Sequence, residues 1–535
     1  MGFKCFIRNI WLFCLIFPSK VFSQKLPNFL CIVCEDIGQY LGCYGDHTVP
    51  TPNIDKLGSE GIIFTRMFTT VGVSAPSRAG LITGMYPTSI GANQMRCYSP
   101  SPGYKALPEG ISQYEVVLPE GVKCYTEFLR AKGYYCTNNN KTDYQFAPPL
   151  TAWDENSATA HWKNRPQGAP FFSIFNLNIT HESQIWERSK AELACDPKTV
   201  PLPPYYPDDK IVRHDVAVMY SNIHEMDKQV KKLIDELIQE NLLDSTIVIF
   251  YSDNGGPLPN QKREIYDRGT LVPFMIRFPD GFRKGETTHR LCSFIDIPAT
   301  ILSLAGIKPP AYMQGQAFLG KYESKQREYI FGARNRMDEQ IDKQGFARDA
   351  KFRYVRNYMT ENPDYMPVEY RMQMPMMKRL IQLYERDSLD PDKETWFRFP
   401  RENEEFYDLD KDPFELKNLI HDKNYFRDID RLRKAYSEWD KKYNQLWKLE
   451  EKECREIFWP DNVQPVVKNP EFSINKNGLE IKCTTGGASI AYQFEGQEGW
   501  LLYTKPINSK RKIRAIAVRA GYRNSEIVEY NNSNQ

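Results

Sequence analysis

The chain has 535 residues, with 70 basic against 68 acidic side chains, a net charge of +2 and 41% hydrophobic residues. That length requires about two or three domains, and the apolar share is enough for a large buried core. The near balance of charge excludes a general nucleic-acid binder and leaves room for a local cationic pocket around a small anion.

Residues 1–23 read as a signal peptide. Lys4 and Arg8 make a positive start, Ile10 to Phe17 a short apolar core, and Val21 and Ser23 stand before a cut at Gln24. The apolar run is too short to cross a bilayer, so the expected mature chain is exported to the periplasm without a stable membrane span. Cys5 and Cys14 leave with this segment. Of the cysteines that stay, Cys31 and Cys34 form a C-x-x-C with no second pair, which argues against zinc. On a strand, residues three apart face opposite ways, which also disfavours shared ligation. Most of the cysteines read as small buried residues, and the sequence does not pair them.

Phe29 to Cys34 is a continuous apolar run ending in Glu35-Asp36. Such a run fits a strand buried on both faces of a parallel sheet, where sites gather at the C-terminal strand ends. Two adjacent carboxylates repel, so a hard cation such as Ca²⁺, which takes several oxygens, is a natural partner. In Val73-Ser74-Ala75-Pro76-Ser77-Arg78, Pro76 suits the first turn of a helix and puts Ser74 at or just before the N-cap. Arg78 follows one turn later on the same face. One turn thus offers a hydroxyl, an anion-binding helix end and a cationic fork.

Residues 85–120 are rich in turns, then a helix is expected over Cys124 to Lys132. A short strand from Gly133 to Thr137 ends in Asn138-Asn139-Asn140-Lys141-Thr142-Asp143, and a third apolar strand, Phe171 to Leu177, is followed by Thr180-His181-Glu182. Histidine can give or take a proton near neutrality. Apolar residues at three and four from His214 to Glu240 predict an amphipathic helix packed on the core. Thr246 to Tyr251 reads as a strand ending in Ser252-Asp253-Asn254-Gly255-Gly256, with Lys262 downstream. Tyr329 to Tyr358, which contains Arg334 and Arg348, reads as a small antiparallel sheet. A charged helix follows over Arg427 to Lys452, then a linker at Asn462 to Asn469 and short strands from Glu471 onward.

Ser74-Ala75-Pro76-Ser77-Arg78 with Thr83-Gly84 resembles the signature of the type I sulfatases. Thr51-Pro52-Asn53-Ile54-Asp55-Lys56-Leu57, Glu60-Gly61 and Phe64 extend the resemblance upstream, and Tyr266-Asp267-Arg268-Gly269-Thr270 and Glu404 to Glu415 extend it downstream, over about residues 26–425. The fold so implied is α/β: an alkaline-phosphatase-like three-layer sandwich with a mostly parallel central sheet, then a smaller antiparallel C-terminal subdomain. The expected boundaries are 24–325 and 326–460. Residues 461–535 form an appended small β-sandwich, since Cys483 to Tyr492, Trp500, Tyr503 and Ile516 to Tyr522 resemble the module that closes β-hexosaminidases. Trp500 reads as a packed side chain more than a carbohydrate contact.

The resemblance implies that Ser74 is oxidised to Cα-formylglycine, whose hydrate attacks sulfur. It places Ca²⁺ among Glu35, Asp36, Ser74, Asp253 and Asn254, with Glu35 departing from the family's Asp. Arg78, Lys141 and Lys262 would hold the sulfate and His181 would protonate the leaving group. Asp143 stands where the family has a His, and it, Arg334 and Arg348 are expected at the substrate. A serine start resembles the branch matured by an anaerobic radical-SAM enzyme, an implied partner beside a sulfated glycan. Ser252-Asp253-Asn254-Gly255 with Pro257, Pro259 and Lys262, Gly84-Met85-Tyr86 and Phe331-Gly332 lean toward the sulfamidase branch, hence N-sulfoglucosamine. The alternatives are a carbohydrate O-sulfatase, a phosphatase or phosphodiesterase of the same superfamily, and a glycan-binding relative without turnover. Seven scattered histidines disfavour the zinc-dependent phosphatase.

Overall fold

A computed structural model describes residues 26–100 and 107–531, so the expected signal peptide lies outside the described residues. Nine strands make the main sheet: β1 (Asn28–Cys34), β2 (Ile62–Phe68), β3 (Tyr135–Asn139), β4 (Glu155–Asn156), β5 (Phe171–Leu177), β6 (Thr246–Ser252), β7 (Leu271–Arg277), β8 (Glu286–Thr288) and β9 (Cys292–Ser293). Their order is β4-β3-β5-β1-β6-β7-β2-β8, with β9 also on β2. All pairs are parallel except those of β7 with β6 and β2.

Strand β1 shows how an apolar run builds a three-layer sandwich. Phe29, Cys31 and Val33 join one core, and Leu30, Ile32 and Cys34 join the other. The two-residue period of the strand sends neighbours to opposite faces, and both faces are covered. Cys31 and Cys34 therefore point apart, each a buried free thiol. Helices Ser74–Thr83, Tyr125–Ala131 and Asp296–Leu304 cover the first face. The second is covered by Lys210–Gln239, which begins earlier than its apolar period suggests because Asp209 caps it by accepting the Ile211 N–H.

A second sheet has the order β10 (Ile330–Met337), β11 (Gln340–Arg348), β12 (Phe352–Asn357) and β13 (Glu404–Asp408), all antiparallel. The stretch from Glu404 that extends the family resemblance thus supplies a strand, β13. The single charged helix expected over 427–452 is three pieces, Phe426–Tyr443, Gln445–Lys448 and Glu451–Phe458. Asn444 leaves helical geometry between the first two, and Trp447 turns into the core under the second sheet.

The C-terminal module has a hairpin, β14 (Glu471–Asn475) with β15 (Gly478–Lys482). Beside it lies a sheet of β16 (Ser489–Phe494), β17 (Leu501–Leu502), β18 (Ile513–Val518) and β19 (Val528–Tyr530). Leu479 and Ile481 of the hairpin pack on Ile513 and Ala515. Trp500 packs on Ala491, Ile516 and Val518, as a core side chain does. The expected linker is tied down: Val467 is buried, its N–H donates to Arg523 O, and the Arg523 N–H returns to Pro465 O. Among the described residues no helix is long and apolar enough to cross a membrane.

Candidate active site

Strands β3, β5, β1 and β6 are consecutive parallel neighbours, so their C-terminal ends open on one edge. Glu35 and Asp36 follow β1, Asp253 and Asn254 follow β6, His181 and Glu182 come after β5, and Lys141 and Asp143 after β3. Asp36 and Asp143 both take left-handed backbone, φ 53° and 55°. Aspartate tolerates that region better than most residues. Helix Ser74–Thr83 points its N-terminus at the same edge.

Ser74 is the first helical residue and Val73 is the cap, one position off the expectation. The hydroxyl is therefore not spent on capping and donates to Asn254 Oδ1 at 3.1 Å. Arg78, one turn on, reaches Asp253 Oδ2 through Nε at 2.8 Å and Asn176 Oδ1 through Nη1 at 2.7 Å. Its Nη2 is buried with no hydrogen-bond partner. Lys141 Nζ lies 2.5 Å from Glu35 Oε2, and Lys262 Nζ lies 2.6 Å from Asp36 Oδ2, 3.1 Å from Glu182 Oε1 and 3.2 Å from His181 Nε2. His181 Nε2 is 3.9 Å from both Glu35 and Asp36. All five residues expected to carry the chemistry thus surround one point.

The electrostatics follow from burial against pairing. Burial opposes charge on Arg78, yet Asp253 and Glu35 hold the guanidinium firmly protonated. Burial likewise opposes the Asp253 and Glu35 carboxylates, and Arg78 and Lys141 respectively lead the cations that keep both below the usual range. His181 goes the other way: burial, then Lys262, pull its imidazole down, so it rests neutral. Asp143 grips Arg96 in a fork, Nε to Oδ1 at 2.8 Å and Nη2 to Oδ2 at 2.6 Å, and that guanidinium outweighs burial to hold its carboxyl low. In the place expected for a histidine there is therefore a charged carboxylate committed to an arginine.

Glu35, Asp36, Asp253 and Asn254 are all buried and offer only oxygen donors, the type a hard divalent cation takes. Among the described residues no three carboxylate, thiol or imidazole groups close into a ready cage. Here the carboxylate oxygens are turned onto Lys141, Lys262 and Arg78. The donor chemistry fits a calcium ion, and the charge of these carboxylates is balanced by the three cations.

Two expectations fail. Arg334 is fully buried under the second sheet and paired with Glu264 at 2.7 Å and Asp342 at 2.5 Å. Arg348 is bound to Asp267 at 2.8 Å, with its guanidinium over the Phe68 ring. Neither is free for a substrate: the pairs with Glu264 and Asp267 tie the small sheet to the segment between β6 and β7, and Asp342 holds Arg334 within its own sheet. Other residues were missed. Asn176 sits in an apolar strand, the one signal it carried. Glu182 holds Lys262 and accepts two hydrogen bonds from Arg263, Nη1 to Oε2 and Nη2 to Oε1, both at 2.9 Å, while its N–H donates to Asp36 Oδ2 at 2.7 Å. Arg263 then reaches Asp338 of the β10–β11 turn at 2.8 Å, tying the second sheet to the site.

The sulfatase family model matches residues 27–307. An ulvan-active sulfatase of Formosa agariphila is 40% identical over 96% of this chain and 93% of its own length. This chain belongs to the sulfatase family. It is therefore a sulfuric ester hydrolase by family. Human N-sulphoglucosamine sulphohydrolase is a more distant relative of this sulfatase, 24% identical over 78% of the chain and 91% of its own length. The leaning toward the sulfamidase branch and N-sulfoglucosamine is not confirmed by so distant a likeness, and a higher identity joins the chain to an ulvan-active enzyme. Among solved structures, a 2-O GAG sulfatase matches with TM-score 0.59 and 20% identity, over 81% of this chain and 96% of that one. At that identity it shows the alkaline-phosphatase-like fold alone.

Proposed function

We propose that this sulfatase removes an O-sulfate ester from an anionic glycan of the ulvan type, with Ser74 matured to Cα-formylglycine and Ca²⁺ held by Glu35, Asp36, Asp253 and Asn254. The observation that carries it is the open Nη2 of Arg78. Buried polar groups find partners, and a guanidinium N–H left open one turn from Ser74, in a ring with Lys141, Lys262 and His181, matches an oxyanion. The 40% identity to a ulvan-active sulfatase supports the glycan, ahead of N-sulfoglucosamine at 24%.

Once formed at Ser74, an aldehyde hydrate would offer two oxygens on one carbon, one as nucleophile and one to expel sulfate, and a cation held by the four oxygen-bearing side chains would supply Lewis acidity there. The chain's own residues do the rest. Arg78, Lys141 and Lys262 hold the sulfate oxygens and neutralise the charge that spreads over them. A divalent cation held by the carboxylates would balance their charge in place of Lys141 and Lys262 and leave both ammonium groups for the sulfate. His181 rests neutral partly because of Lys262; an anion beside that ammonium offsets the effect and favours the protonated imidazole that serves the leaving oxygen. Asp143 positions Arg96. Maturation by a radical-SAM enzyme and export through residues 1–23 complete the reading.

The test is expression with and without an anaerobic maturase, followed by sulfate release from ulvan oligosaccharides, N-sulfoglucosamine and sulfated N-acetylgalactosamine. The matured Ser74 peptide should be lighter by two hydrogens, and only that form should turn over. Turnover by Ser74→Ala, or by protein with an intact serine, would sink the proposal. Ca²⁺ should raise Tm in the wild type and not in Asp253→Asn, as a ligand specific to the folded state does.

A further inference from the structure

Segment 358–403, between β12 and β13, returns to the catalytic edge although its sequence carries no motif. Met366 and Val368 are buried against Val71, Val73, Ala75, Met95 and Met337. Val73 and Ala75 are the two neighbours of Ser74, so this segment shares one apolar cluster with the residues that flank the nucleophile. Two residues past Val368, Tyr370 opens the short turn Tyr370–Gln373. The turn is held on both sides. The Glu369 N–H donates to the Glu339 carboxylate at 2.6 Å, and buried Arg371 lays its guanidinium 5.2 Å from the Trp396 ring centroid.

Tyr370 itself is 38% exposed, an unusual state for a large ring on so well anchored a turn. Its centroid lies 6.4 Å from that of His181 and 5.3 Å from that of Trp186, which it meets edge-on at 76°. An exposed aromatic ring fixed beside the group that serves the leaving oxygen borders the space where the alcohol half of the ester must sit. Sugars present C–H faces that pack on such rings, and rigid aromatics give that contact at little cost in conformational entropy.

We propose that Tyr370 is a specificity-determining residue: its ring is the wall on which the pyranose bearing the sulfate stacks. The inference rests on the sulfatase reading of the site and adds to it the residue that recognises the sugar. Arg371 and the Met366–Val368 packing are positioning elements that hold the ring at a set distance from Ser74.

The experiment separates the two claims. Turnover of a small aryl sulfate by the matured wild-type enzyme tests the reaction and does not involve a sugar ring. Binding of ulvan oligosaccharides to the Ser74→Ala protein, measured by titration calorimetry with and without Tyr370→Ala, tests the wall whether or not turnover occurs. Loss of one stacked ring is expected to weaken binding about tenfold, and Tyr370→Phe, which keeps the ring, should restore it. In the matured enzyme, Tyr370→Ala should lower kcat/KM more for the oligosaccharide than for the aryl sulfate. Equal losses on the two substrates, unchanged oligosaccharide binding in Tyr370→Ala with Tm preserved, or a Phe variant as weak as Ala would overturn the proposal.

Discussion

The ionisation of a buried carboxylate in this sulfatase depends on whether the fold sets a cation beside it. Glu35, Asp253 and Glu182 are buried, yet Lys141, Arg78 and Arg263 lead the charges that keep them ionised. Asp215, on the long helix Lys210–Gln239, has no such partner. It accepts the Met376 N–H at 2.7 Å and has only His214 nearby, at 3.3 Å, and burial lifts it from 3.8 to about 6. An acid that holds its proton more tightly when folded contributes stability that is whole below its unfolded value and is lost as pH rises through about 6. Asp215→Asn keeps an acceptor for Met376 and removes the buried charge. It should therefore melt higher than wild type at pH 8, by about 1–3 kcal/mol, with the gain shrinking toward pH 4 in calorimetry. A gain that is constant with pH would show that Asp215 is not the titrating group.

At the scale of elements, the site depends on how closely the loop before the nucleophile helix can approach its neighbours. Gly72 lies where a Cβ would stand 2.1 Å from Glu264 O, and its own carbonyl accepts the Arg263 N–H at 2.6 Å. The loop carrying Ser74 and the loop carrying Lys262 and Arg263 are thus packed backbone to backbone. Gly72→Ala must part them. Its expected cost is about 1–3 kcal/mol, read as a lower Tm, together with loss of sulfate release, because Ser74 and Lys262 move apart. Full turnover in this variant would mean that the close approach is incidental. The apolar runs of β1, β5 and β6 and the i, i+4 pairing of Ser74 with Arg78 were legible in the sequence, because strand and helix periods are local properties. The break at Asn444 was not, since only burial of Trp447 against the second sheet explains why a charged helical pattern should stop there.

Over the whole molecule, the C-terminal module is fastened to the catalytic sheet's flank. Lys123 donates to Gly487 O at 2.7 Å and Ser489 Oγ at 2.8 Å, Arg130 to Trp500 O at 2.7 Å, and Arg519 to Leu118 O at 2.9 Å. Ala520 belongs to the main core. These contacts lie on the helix face of the sheet, while the catalytic residues lie at its C-terminal edge. A chain ending at Asn462 should therefore lose several degrees in Tm, because Lys123 loses both of its acceptors, Arg130 loses Trp500 O and the main core loses Ala520, and should keep turnover per folded molecule. An unchanged Tm would show that the module is only tethered.

The sequence by itself determined the strand ends that carry Glu35, Asp36, Asp253, Asn254, Lys141 and His181, the nucleophile turn of Ser74 and Arg78, and membership in the sulfatase family. These are short-range patterns: period, caps and contiguous motifs. Only the tertiary structure decided which charges gather around Ser74 and which tie the sheets together. Arg334 and Arg348 carry the same guanidinium as Arg78, and nothing near them in sequence shows that Glu264, Asp342 and Asp267 fold against them. Asn176, Glu182, Arg263 and Tyr370 gained their places in the same way. The free energy of a buried charge is set by partners brought from tens or hundreds of residues away, and that distance is what folding removes.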